Sequence, residues 1–265
     1  MFRIRTLTQR ERLRQSLYPY YLLTAPLRPL PNALIIGGMK CGTTTLNAWL
    51  REHPRVAFSS VKEIHFFDKH YAEGINWYRT HFPIWEKVAK AATCTIEATP
   101  SYLFRANTTA QRMQRWVPGA KLIIMLRDPV QRAISHYNHS MRNGTETRSP
   151  EVALTSAQGQ RNRQPNPYKQ RGLYAEQIRE FLRFYDRSQL LILKSELFFR
   201  NPKTVFHATQ EFLNINPIPL PDYSPPRNSN KPKVPITNDI EQHLREFYQR
   251  PNEDLVTLLP EFEIW

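Results

Sequence analysis

Two cysteines, Cys41 and Cys94, are all the thiols in this chain, so no disulfide framework holds it together and at most one bond can form. That usage suits a reducing compartment and leads to the expectation of a cytoplasmic, bacterial-type location. Long apolar runs are missing too. The best of them, positions 17–27, is broken by Pro19 and Pro26 and is too short to span a bilayer. No convincing small-residue cleavage site follows it, which argues against a signal peptide. Acidic residues are scarce: Asp+Glu number 23 against Lys+Arg 37, for a net charge of +14. Such a surface attracts polyanions, whether nucleic acid, anionic lipid, acidic polysaccharide or a highly phosphorylated small molecule. No internal repeat or low-complexity tract is present.

What remains is an ordinary globular composition, 40% apolar and 23% charged over 265 residues. That is enough for one domain with a well-buried core. The expected organisation is a basic N-terminal arm, residues 1–31, followed by one domain over residues 32–265. The arm carries Arg3, Arg5, Arg10, Arg12 and Arg14 ahead of the apolar run. It reads either as a solvated segment docked on the domain or as a basic amphipathic segment resting peripherally on a surface.

Short apolar runs mark strands at 33–37, 56–58, 93–96, 121–126 and 190–193. Helical patterns fall at 44–52, 129–141, 173–185, 202–213 and 238–248, the second opened by Pro129 at a first-turn position where proline is tolerated. Residues 143–168 are polar, hold three prolines and read as a mobile surface excursion, and 214–235 is proline-dense and irregular. Apolar strands that alternate with helices and show no period-2 polarity predict an α/β fold, a parallel sheet with helices on both faces. Ligands of such sheets sit at the carboxyl ends of strands, here just after Gly37, Glu97 and Leu126.

The first of these places holds Gly37-Gly38-Met39-Lys40-Cys41-Gly42-Thr43-Thr44. Glycines there let successive N–H groups face inward, and the following helix adds positive potential, so the loop is a cradle for phosphate or sulfate. The spacing from Gly37 to Gly42 copies a Walker A loop, but Thr43 stands where its lysine belongs and the lysine is at Lys40. The third place holds Arg127-Asp128-Pro129, with Arg132 and Ser135 on the helix beyond. A guanidinium fork plus a hydroxyl would clamp a phosphate monoester. The other reading has Asp128 capping the helix and Arg127 paired with a carboxylate.

Taken together, these two segments resemble a known family. Lys40-Cys41-Gly42-Thr43-Thr44 is similar to the 5′-phosphosulfate loop of sulfotransferases that use 3′-phosphoadenosine 5′-phosphosulfate (PAPS). Residues 127–135, with Arg127 and Ser135, are similar to their 3′-phosphate motif. Lys62-Glu63-Ile64-His65-Phe66-Phe67-Asp68 resembles a segment of the heparan sulfate glucosaminyl 3-O- and N-sulfotransferase branch and its bacterial relatives. Further matches are residues 97–102, Arg171-Gly172-Leu173-Tyr174, and Glu246-Phe247-Tyr248 with Pro251-Asn252, so the resemblance runs from about residue 32 to the C-terminus.

The resemblance implies a P-loop-like sulfotransferase fold and transfer of a sulfuryl group from PAPS to a hydroxyl or amine of a glucosaminyl-type carbohydrate, with no metal. It assigns Lys40, Cys41, Gly42, Thr43 and Thr44 to the donor phosphosulfate, and Arg127 and Ser135 to its 3′-phosphate. Asn230 and Lys231, with Lys233, occupy the place of a basic loop over the nucleotide; a solvated Lys/Pro loop is the alternative. Tyr174 is a nucleotide contact or a core tyrosine. Glu63 is the base that takes the acceptor proton, and His65 orients the acceptor or supports Glu63, with Lys62 and Asp68 on the same acceptor side. Without the resemblance, Glu63 reads as a plain pair with Lys62, and His65 as a histidine packed beside Phe66 and Phe67.

The chain departs from its relatives at Ala98, where many carry lysine, and at Thr44, where some carry arginine. It also lacks their cysteine-paired loop and, by expectation, their membrane anchor; these differences bear on the acceptor. Two readings compete. A P-loop kinase or nucleotidase would need a lysine at Thr43. A nucleic-acid-binding protein would need its basic residues gathered with aromatics into a module, and here they are dispersed.

Overall fold

The computed structural model describes residues 16–84, 93–155, 166–222 and 234–265. Its centre is a five-stranded sheet made of β1 (Ala33–Gly37), β2 (Val56–Phe58), β3 (Cys94–Ala98), β4 (Lys121–Leu126) and β5 (Leu190–Lys194). The strands lie in the order β2-β3-β1-β4-β5, and every pairing is parallel. Eleven α-helices are described: α1 (Tyr18–Leu23), α2 (Thr43–Arg51), α3 (Gly74–Arg79), α4 (Ser101–Phe104), α5 (Ala106–Trp116), α6 (Pro129–Arg142), α7 (Pro150–Leu154), α8 (Tyr174–Leu182), α9 (Ser195–Arg200), α10 (Pro202–Phe212) and α11 (Asn238–Leu258).

The unbroken apolar runs have a direct cause, since side chains of one strand leave it alternately to two dry faces. Leu34, Ile36, Leu122, Ile124 and Leu126 join Tyr102, Leu103, Met113, Ile178 and Phe181 in one core cluster. Ala33, Ile35, Ile123 and Met125 join Leu46, Trp49, Phe198 and Phe206 in the other. Helices α2, α9 and α10 therefore cover one face, and α4, α5 and α8 the other.

Three expectations need correction. Strand β3 reaches Ala98 and so includes Glu97, a buried carboxylate that an apolar-run reading stops short of. Helix α11 continues through Pro251, because beyond it Leu255 and Leu259 are buried in the first core cluster. Within the stretch read as a mobile excursion, the described part is packed: Ser149 caps α7, and Tyr168 is buried with its hydroxyl donating to Glu146 at 2.9 Å. Glu146 also accepts from Arg148 at 2.6 Å, and it is this hydrogen bond first of all that holds its carboxyl down at about 2.

In the arm, Arg28 is buried and donates to the carbonyl of Phe82 at 2.5 Å, while Arg79 donates to the carbonyl of Arg28 at 2.7 Å. The chain is thus fastened to the body just before β1.

Candidate active site

The glycine loop leaves β1 at the carboxyl edge of the sheet and turns into α2. The Gly38 N–H donates to the Met125 carbonyl at 2.6 Å, tying the loop to β4. Gly42 is the N-cap of α2 with φ 98, an angle that strains any other residue, and a Cβ there would press on Phe199 and Met125 at 3.1 and 3.2 Å. Ser195 Oγ donates to the Cys41 carbonyl at 2.7 Å, bracing the loop from α9. The Cys41 thiol is buried, and that burial pushes it up to about 11, so at neutral pH it is a protonated thiol. Among the described residues both cysteines are free.

Lys40 stands in this loop, and burial holds its ammonium below the usual lysine value, helped by the positive charges of Arg142 and Arg127. Arg127 ends β4 beside it, with a long 3.5 Å contact from Nη1 to the Lys40 carbonyl. Asp128 caps α6 by accepting from the Val130 N–H at 2.9 Å, as one reading of that motif had it. Ser135 lies half-buried on the same helix. Tyr174 is a core tyrosine: it is buried, and its hydroxyl donates to the Arg127 carbonyl at 2.9 Å, bracing the strand end from behind. Asn230, Lys231 and Lys233 lie outside the described residues.

The second half of the site is the segment after β2. The Lys62 ammonium donates to Thr44 Oγ1 at 2.9 Å and lies 3.2 Å from Glu63 Oε1. Glu63 Oε2 lies 3.8 Å from His65 Nε2. On its other side the His65 ring meets Asp68 Oδ2 at 3.1 Å and Ser101 Oγ at 3.1 Å, and Ser101 Oγ donates to Asp68 at 2.7 Å. Burial pushes the Asp68 carboxyl up, but the hydrogen bonds from His65 and Ser101 outweigh it and leave it below the usual carboxylate range. One chain of polar contacts thus runs from the glycine loop through Lys62, Glu63 and His65 to Asp68.

Glu63 and His65 both have positive φ, 60 and 58. Non-glycine residues hold that conformation only where surroundings fix it. Here the Glu63 N–H donates to the Ala98 carbonyl at 3.0 Å, and the Ile64, Phe66 and Phe67 side chains are buried. The His65 N–H meets Thr99 Oγ1 at 3.4 Å, and that hydroxyl in turn donates to the buried carboxylate of Glu97. The end of β3 is therefore the platform under the Glu63 segment.

Sequence reading missed Ser101, Thr99 and Glu97 as contributors; they lie in a quoted matching segment at a strand end already marked for ligands. It also missed the carboxyl end of β5. A cleft of about 640 Å³ opens there, lined by Arg127, Gln131, Lys194, Ser195, Phe199 and Trp265 among others. Trp265 Nε1 donates to Glu196 at 2.8 Å, holding the C-terminal residue at the cleft.

The electrostatics of the site ask for an anion. Arg142, Arg127 and Lys62 all lie close enough to Lys40 for their charges to act on its ammonium. His136 is held far below the usual imidazole value, at about 2, by burial and by Arg132, Arg171, His139 and Lys40 around it. Arg132 Nε and Nη1, His136 Nδ1 and Arg171 Nε are buried without a hydrogen-bond partner among the described residues. Glycine-loop amides, clustered cations and unsatisfied donors fit a multiply anionic ligand.

Comparison with known proteins agrees with this geometry. Residues 30–223 match the family described as the sulfotransferase domain. Mouse heparan sulfate glucosamine 3-O-sulfotransferase 3B1 is 34% identical over 197 residues, covering 72% of this chain and 48% of that protein. The membrane-associated sulfotransferase kil1 of Dictyostelium discoideum is 28% identical over 312 residues, 87% of this chain and 65% of that one. The chain thus spans just under half of one of these relatives and just under two thirds of the other. A crystal structure of a sulfotransferase from Alicyclobacillus acidocaldarius superposes with a TM-score of 0.69 at 30% identity, covering 89% of this chain and 98% of that one. The matched residues 30–223 take in the glycine loop, Arg127 and all five strands of the parallel sheet, and the chain belongs to the sulfotransferase family.

Proposed function

We propose that this chain transfers a sulfuryl group from PAPS to a hydroxyl or amine of a glucosaminyl-type carbohydrate. The observation that carries the reading is the Lys62 ammonium, shared between Thr44 Oγ1 at 2.9 Å and Glu63 Oε1 at 3.2 Å. It joins an anion-binding loop to a carboxylate, and in-line group transfer needs those two parts face to face.

Lys40 and the N–H groups from Gly42 to Thr44 hold the phosphosulfate and offset the charge that grows on the leaving phosphate. Arg127 and Ser135 hold the 3′-phosphate, the group that distinguishes this donor from ATP. Glu63 accepts the acceptor proton as the new S–O or S–N bond forms. His65, fixed by Asp68 and Ser101, keeps the Glu63 carboxylate turned toward the acceptor. The cleft beside Arg127 and Trp265 gives the nucleoside a place next to the 3′-phosphate site. A glucosaminyl acceptor is favoured by the Lys62–Asp68 segment and by the names of the relatives. Ala98, where the resemblance leads one to expect lysine, is the departure that bears on the acceptor.

Two measurements test the reading. Isothermal titration should show tight binding of adenosine 3′,5′-bisphosphate, weaker binding of ATP and none of duplex DNA. Label transfer from PAPS to a glucosamine-containing oligosaccharide should then be detectable. A preference for ATP, or no transfer to any sugar hydroxyl or amine, would contradict it.

A further inference from the structure

Helix α1 has no buried residue. Twelve large apolar side chains are exposed among the described residues, and six of them, Leu17, Tyr18, Tyr20, Leu22, Leu23 and Leu27, fall within positions 17–27. Leu23 is 81% exposed and Leu27 60%. Scattered apolar residues on a surface need no explanation, but half of the set within eleven positions is a patch. A helix that is apolar all round and yet uncovered is built to be covered by something.

The patch is also held outward. Arg28 is buried, its Nη2 donates to Thr24 Oγ1 at 3.0 Å, and its guanidinium lies 4.8 Å from the Tyr21 ring centre. With Arg79 on the Pro26 and Arg28 carbonyls, this pins the base of the segment to the body. The segment therefore presents its leucines and tyrosines at a fixed place on the surface.

Charge selects the partner. Residues 16–27 contain no charged side chain, whereas residues 1–15 carry five arginines against the single Glu11. A second copy of this chain seated on the patch would bring two arginine-rich segments together on molecules each of net charge +14. An anionic lipid surface suits both parts: arginines meet headgroups, leucines enter the acyl boundary, and tyrosines sit between. No helix among the described residues is long and apolar enough to cross a membrane, so this contact lies on the bilayer.

We propose that the apolar patch at positions 17–27, with the arginines upstream, docks this protein peripherally on an anionic bilayer. The test is co-sedimentation of the full chain with vesicles of phosphatidylcholine alone and of phosphatidylcholine mixed with phosphatidylglycerol. The wild type should pellet with the mixed vesicles and stay in solution with the neutral ones. Because a strongly basic protein binds anionic vesicles without any patch, the decisive variant leaves charge unchanged. Leu23→Ser with Leu27→Ser should lower partitioning on the order of tenfold or more. The control pair Val152→Ser with Val256→Ser, exposed apolar residues elsewhere, should partition like the wild type. Arg10→Gln, Arg12→Gln and Arg14→Gln together should lower it on the order of 10²-fold. Thermal melts of each variant check the fold. Equal partitioning of the leucine pair and the control pair would overturn the proposal. So would a leucine pair that turns a dimer into a monomer and leaves vesicle binding unchanged, which would assign the patch to a second copy.

Discussion

The Lys62 ammonium donates to Thr44 Oγ1 at 2.9 Å, and this contact ties the segment carrying Glu63 to the first turn of the helix behind the glycine loop. Both ends are partly exposed, so the contact is worth about 1 kcal/mol or less in stability. Its value lies in position. Lys62→Ala should lower turnover about fivefold, roughly 1 kcal/mol, with little change in adenosine 3′,5′-bisphosphate affinity. A variant that loses nucleotide affinity and keeps kcat would make Lys62 a nucleotide ligand instead.

Lys40→Ala removes the cation that the proposed function sets against the donor. Transfer should fall by about 10²–10³-fold, the usual cost of one group aimed at developing charge, while the melting temperature holds. Near-normal turnover in a PAPS-dependent assay would move the donor site away from this loop.

Arg127→Ala should weaken adenosine 3′,5′-bisphosphate far more than adenosine 5′-monophosphate. A charged hydrogen bond is worth on the order of 1.5–3 kcal/mol, tenfold or more in affinity. Titration of both ligands checks it, and equal weakening would put the 3′-phosphate elsewhere.

Glu97 gives a pH test of the platform. Burial pushes its carboxyl to about 7, although hydrogen bonds with Thr99, Tyr102 and Tyr78 pull the other way. The unfolded chain releases this proton near the ordinary value, so between there and about 7 the unfolded state holds fewer protons. Stability from this group is then full below the ordinary value and is lost as pH rises to about 7. From 4.5 to about 7 the loss is about 3 kcal/mol. Glu97→Gln stays neutral throughout, so its melting temperature should gain on the wild type from pH 4.5 to 7 and hold that lead above. A lead that does not change with pH would mean that Glu97 is ionised in the fold. His136 works in the opposite sense: held at about 2 against an ordinary 6.5, it favours the fold above 6.5 and ceases to as pH falls.

Much of this was legible in the sequence, for a physical reason. Strands β1, β2 and β4 coincide with their predicted spans: β1 and β4 because a strand buried on both faces is written as a short unbroken apolar run, and β2, a half-buried edge strand, because its three residues are apolar as well. The glycine loop and Arg127 were legible because backbone turns and strand ends constrain residue type locally. Ser101, Thr99 and Trp265 were not, since each acts through a partner 34 or more positions away in the chain. Tyr174 carried two readings that only burial separates. The positive φ at Glu63 and His65 leaves no mark in sequence, because neither is a glycine or asparagine. The length of α11 was hidden by Pro251, whose cost is offset by Leu255 and Leu259 in the core.

The central claim is that Glu63 is the base facing the donor loop, and the most direct measurement takes turnover and adenosine 3′,5′-bisphosphate affinity together for Glu63→Gln. Glutamine keeps the size of the side chain and an oxygen that can face the Lys62 ammonium, but cannot accept the acceptor proton. The account predicts a fall in turnover of roughly 10²–10⁴-fold, the usual contribution of a positioned base, with nucleotide affinity unchanged. A variant with full activity would hand the proton to another group, His65 first. One that loses nucleotide binding would make Glu63 part of the donor pocket, and either result would contradict the account.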